Sequence, residues 1–72
     1  MVNTAEHEVA AAQKAENAAR KLVKETEKRV KNATDAEIKK IEETNLANAY
    51  QEYEKAKVET AYAKLNAKIA AQ

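Results

Sequence analysis

The chain contains no glycine, no proline and no cysteine. Without Gly and Pro it lacks the usual residues of tight strand-joining turns, and nothing in it forces a helix to break. Without Cys there is no disulfide framework and no thiolate chemistry, and the redox compartment goes unread. Phe and Trp are missing too, leaving three tyrosines as the whole aromatic content. Neither sign of charge dominates: 13 Lys and Arg stand against 12 Asp and Glu, for a formal net charge of +1, so the whole molecule is not a magnet for polyanions. No apolar run approaches the ~20 residues that span a bilayer, and no signal-peptide core is visible. A cytoplasmic protein is the default expectation.

What the 72 residues do contain is helix former. A chain this short forms one small domain at most, taken here as 1–72, and buries little of its surface. Most of its apolar content is alanine, the residue most favourable to helix and among the least rewarding to bury. Area gain and ordering entropy nearly cancel in such a chain, so association with another copy or another helix is the expected source of added stability.

Two helix starts stand out. Asn3-Thr4-Ala5-Glu6 offers a side-chain cap followed by an acid, and Thr34-Asp35-Ala36-Glu37 has the spacing of a capping box with Thr34 as the cap. Between them, Lys28, Arg29 and Lys31 suit the negative end of a helix dipole, and Asn32 suits a left-handed C-terminal cap. These signals predict an all-α antiparallel helical hairpin, coiled-coil-like and assembling into a bundle, with helices over about 4–31 and 35–71 and a turn at 32–34. A continuous rod is the alternative, as is a three-helix form broken near Thr44–Asn48. Glu16–Arg20, Glu25–Arg29, Glu27–Lys31 and Asp35–Lys39 are acid-first i,i+4 pairs, each expected to stabilise its helix by about 0.2–0.5 kcal/mol.

The first helix carries one apolar stripe: Ala5, Val9, Ala12, Ala19, Val23, Thr26 and Val30, with Ala15 and Leu22 at its edge. In the second, the large residues fall on a four-residue grid that drifts round the helix, so one partner helix does not cover both ends. Ile38, Ile41, Leu46, Tyr50 and Tyr53 are therefore expected to pack against Val9, Leu22, Val23 and Val30 as the intrachain core. Val58, Tyr62, Leu65 and Ile69 are expected to form an intermolecular surface. A first helix of this length would cover the second only to about residue 62, leaving the rest as an exposed apolar tail.

In composition, Ala10-Ala11-Ala12-Gln13-Lys14-Ala15-Glu16 with Lys21-Leu22-Val23-Lys24-Glu25 resembles the alanine-rich helical stalks of rotary ATPases. Ala49-Tyr50-Gln51-Glu52-Tyr53-Glu54-Lys55-Ala56 is similar to the rod regions of streptococcal surface proteins. Neither likeness carries a residue role over to this chain.

Chemistry is hard to find. His7 is the only histidine, and the positions one helical turn away from it are Ala10 and Ala11, which cannot ligate a metal. Serine and cysteine are both absent, which removes the usual nucleophiles, and phosphate-cradling loops need glycine. No catalytic residue, metal site or cofactor is expected, and the chain is not expected to be an enzyme. Arg20, Lys21, Lys24, Lys28 and Lys31 form a basic stripe opposite the apolar face of the first helix; a solvated face is the plain reading and contact with nucleic acid the sharper one. The tyrosines at helical spacing read as interface residues, with ring covered and hydroxyl wet. The expected function is structural: a self-associating hairpin, or a stalk-like module engaging another helical protein. Binding of a polyanion by the basic stripe is the alternative.

Overall fold

The computed structural model describes residues 4–72. The Asn3 cap expected for the first helix lies outside that range. Two helices, α1 over Thr4–Asn32 and α2 over Ala36–Ala70, pack against each other as an antiparallel all-α hairpin. The body measures 55 × 17 × 11 Å, and its long dimension is the length of α2 itself, 35 residues at ~1.5 Å each.

The reversal lies one residue later than expected, at 33–35. Thr34 does not cap α2. Asp35 does, accepting the backbone N–H of Glu37 at 2.8 Å and of Ile38 at 3.4 Å. A carboxylate is the stronger acceptor at the positive end of a helix, so it displaces the neighbouring hydroxyl from that role. Nor does Asn32 adopt the left-handed conformation: among the described residues none has positive φ. The end of α1 tightens instead, with Ala33 N–H donating to Val30 C=O at 3.3 Å. No break occurs near Thr44–Asn48; α2 runs through it, with the Thr44 hydroxyl folded back onto the carbonyl of Lys40 at 3.2 Å.

The seam between the helices is regular. From α1 the side chains on the seam are Ala5, Val9, Ala12, Glu16, Ala19, Val23, Thr26 and Val30, with Gln13 half-covered at its edge. From α2 they are Glu42, Leu46, Ala49, Tyr53, Ala56, Thr60, Ala63 and Ala67. Both sets step alternately by four and three residues, a spacing that keeps one helix facing another along its whole length. Fully buried apolar residues are few, namely Val23, Ala49 and Ala56. Thr26 and Thr60 are buried beside them, and both hydroxyls are satisfied. That of Thr26 donates to Leu22 C=O at 2.7 Å, and that of Thr60 lies 2.9 Å from Ala56 C=O and 3.1 Å from Ala12 C=O on the other helix.

This seam corrects the expected core. Leu22, Ile38, Ile41 and Tyr50 are exposed. Leu22 sits at the edge of the α1 stripe and turns outward, while the drifting four-residue grid of α2 pointed to the other three because it followed side-chain size. The seam is set by the 4–3 spacing, and in α2 that line runs through alanines and threonine. Val9, Val23, Val30, Leu46 and Tyr53 do lie on it. The reach of α1 was also set too short: Ala63 and Ala67 are still half-buried. The register explains this, since Ala12 stands beside Thr60 and Arg29 beside Glu42, which brings the start of α1 level with about residue 68.

The four expected i,i+4 ion pairs do not close among the described residues, because their members find other partners. Arg29 crosses to Glu42 at 2.8 Å and also donates to the Thr26 hydroxyl at 3.1 Å. Arg20 donates to Asn17, Glu27 accepts from Tyr50, and Asp35 is taken up by the backbone.

Candidate interaction surface

The seam of α2 decides what its other faces carry. Taking 42, 46, 49, 53, 56, 60, 63 and 67 as the inward positions, a second line stepping four, three, four runs through Val58, Tyr62, Leu65 and Ile69. It lies on the side of the helix away from α1. All four are large and at least half exposed: Val58 53 %, Tyr62 63 %, Leu65 50 % and Ile69 58 %. Over the same stretch the hairpin buries Ala56 and Thr60 and half-covers Ala63 and Ala67. This half of α2 therefore turns its small residues inward and its large ones to solvent.

Inward alanines have a direct consequence. They let two helix backbones come close, and the Thr60 hydroxyl then reaches the backbone carbonyl of Ala12. That oxygen keeps a second lone pair after its own helical bond. Alanine and threonine leave little room for a bulky neighbour, so a large side chain is easier to place on the outer line than in the seam.

Toward the N-terminal end of α2 the outer line turns polar, through Thr44, Asn48, Gln51 and Lys55, all exposed. Ile38 and Ile41 lie beyond that block, also exposed, so they are not continuous with the four-residue stripe. Leu22 belongs to a different feature. It lines a shallow groove between the helices with Thr26, Arg29, Asn45, Asn48 and Glu52. A second groove beside it is bounded by Ala15, Ala19, Lys55 and Glu59.

On the opposite flank, Tyr50 donates its hydroxyl to Glu27 at 3.3 Å. Repulsion between that carboxylate and a phenolate raises the Tyr50 phenol above its ordinary value, helped by partial desolvation and by the hydrogen bond. Lys57 lies 2.8 Å from Glu54, whose hydrogen bond raises the ammonium, and 4.8 Å from the centroid of the Tyr53 ring.

The basic stripe lies on the solvent side of α1. Arg20, Lys21, Lys24, Lys28 and Lys31 are all exposed. The aromatic residues all belong to α2, so no ring is interleaved with these cations. His7 is exposed in the second turn of α1. Among the described residues no group of three or more His, Asp or Glu could hold a metal ion, and no helix is long and apolar enough to cross a membrane.

Reasoning from the sequence placed Thr26 on the apolar stripe of α1, where it is buried, but overlooked Thr60 and the Arg29–Glu42 bridge. Thr60 had a signal: Ala49, Ala56, Thr60, Ala63 and Ala67 already keep the 4–3 spacing of a seam. No protein-family model matches the chain, and no curated protein or solved structure matches it either.

Proposed function

We propose that this chain is a structural interaction module: a coiled-coil-like helical hairpin that self-associates by burying the outer face of α2 against a second copy. One observation carries the reading. Val58, Tyr62, Leu65 and Ile69 form an unbroken line at coiled-coil spacing on the side of α2 that α1 leaves uncovered. They are larger than the residues the hairpin buries in the same stretch.

The energetics favour a reversible assembly. Full burial of a large apolar side chain contributes about 1.5–3 kcal/mol. These residues are already half covered, so each has roughly 1 kcal/mol left to gain, and a symmetric pair has eight of them. Against this stands an association cost of at least ~4 kcal/mol. The surplus is small, so the dimer is populated in a concentration-dependent way and stabilises a hairpin whose own seam is rich in alanine and short of large apolar side chains. Thermal melting across a hundredfold range of protein concentration tests this: a midpoint that rises with concentration supports coupled folding and association, and a constant midpoint contradicts it.

The basic stripe is what a second reading, contact with a polyanion, rests on: Lys21, Lys24, Lys28 and Lys31 are exposed along one side of α1 and close no ion pair among the described residues. Glu25 and Glu27 flank it and no ring is available for stacking, which makes it the second reading.

A further inference from the structure

Resting on that self-association, we infer that the two copies meet antiparallel, tail to tail, through Val58–Ile69, giving a rod with its two turns at opposite ends. Charge and polarity along the outer line choose the orientation. Its flanks are Glu52, Glu59 and Asn66 on one edge and Glu54, Ala61 and Lys68 on the other, all exposed.

A parallel, in-register pair would set Glu54 beside the partner's Glu59 twice over, because in that arrangement flanking residues five apart in sequence face each other. Lys55 would meet the partner's Lys55 on the line itself. The polar block Thr44, Asn48, Gln51 and Lys55 would also be drawn into the interface, since the two α2 helices would run side by side throughout.

An antiparallel pair centred between Tyr62 and Leu65 meets none of these conflicts. Tyr62 then packs on the partner's Leu65 and Val58 on the partner's Ile69, and the two-fold axis repeats each contact. On the edges Glu59 faces the partner's Asn66, and Ala61 faces the partner's Lys68. Lys55 falls beyond the partner's Ile69, past the end of the helix at Ala70, where it stays in water. Each α1 lies on the far side of its own α2, so neither obstructs the pairing. The hairpins overlap only over about the C-terminal third of α2, which makes the assembly about 80 Å long, with 35-residue helices at ~1.5 Å per residue. The result is a two-ended spacer that presents one turn, with its capped α2 start, at each end.

The absence of native cysteine makes site-directed crosslinking clean. Ala61→Cys and Lys68→Cys variants of the full chain would be oxidised separately and mixed, while sedimentation and small-angle scattering are recorded on the unmodified chain. The inference expects a scattering particle about 80 Å long and a disulfide that forms mainly between the two different variants in the mixture. A dimer that stays near the 55 Å length of one hairpin, with no preferred 61–68 crosslink, overturns the orientation while leaving self-association standing. A chain that sediments as a monomer at every concentration overturns both.

Discussion

The hydroxyl of Thr60 on α2 lies 3.1 Å from the backbone carbonyl of Ala12 on α1. A short side chain can bridge two helices this way only where both backbones come close, and the alanines at 12, 56 and 63 permit that. Thr60→Val keeps the shape and removes the donor, so it is expected to cost about 0.5–1.5 kcal/mol. Thr60→Leu forces the helices apart and is expected to cost more, about 1–3 kcal/mol. Thermal unfolding followed by circular dichroism at one fixed concentration measures both. Equal stability of all three chains would mean the close approach contributes nothing.

The start of α2 gives a sharper contrast. Asp35→Ala removes the acceptor for two backbone N–H groups and is expected to cost about 1 kcal/mol. Thr34→Ala is expected to change stability by no more than a few tenths of that. Denaturant unfolding of the two variants, side by side, reads the difference, and a larger loss for Thr34→Ala would return the cap to the hydroxyl.

Tyr50 should report its partner by titration. The Glu27 carboxylate raises the phenol in the folded hairpin. A raised pKa means that the contact's stabilisation is fully present below the phenol's unfolded pKa, and is lost as the pH climbs through the higher folded value. In a chain carrying Tyr53→Phe and Tyr62→Phe, ultraviolet absorbance of the remaining phenol is expected to show a midpoint above 10.0. Adding Glu27→Gln is expected to move that midpoint down. An unchanged midpoint would mean that the two groups do not meet in solution.

For the basic stripe the expected result is a negative one. Lys24→Glu with Lys28→Glu should leave helicity and assembly nearly unchanged, and the wild-type chain should not retard nucleic acid in a gel at ~150 mM salt. Tight binding that weakens steeply with salt, and disappears in the double variant, would promote the polyanion reading to first place.

How far the sequence could be read depends on which helix is read. In α1 the valines at 9, 23 and 30 fall on the seam and the face was legible, with Leu22 at its edge the one large residue that turns outward. In α2 they disagree. Ile38, Ile41 and Tyr50 are large but exposed, while Ala49, Ala56 and Thr60 are small and buried. Apolar periodicity weights residues by size, whereas closely approaching helices select small ones, and in α2 that kept Leu46 and Tyr53 on the seam but misplaced Ile38, Ile41 and Tyr50. The hairpin itself was legible from the cations closing α1 and the cap signals opening α2. The choice of Asp35 over Thr34 was not, since two good acceptors stand side by side in the sequence. The line Val58, Tyr62, Leu65, Ile69 was visible as a stripe, but its place opposite α1 becomes plain only once the alanine seam is known.

Sedimentation equilibrium on three chains tests the central claim most directly: the wild type, a Leu65→Asp, Ile69→Asp variant, and an Ile38→Asp, Ile41→Asp variant that alters an equally exposed pair outside the stripe. The outer line of α2 predicts a concentration-dependent dimer for the wild type and the Ile38/Ile41 variant, and a monomer for the Leu65/Ile69 variant. A stably folded wild-type monomer at high micromolar concentration, or a dimer that survives both aspartates at 65 and 69, would contradict it.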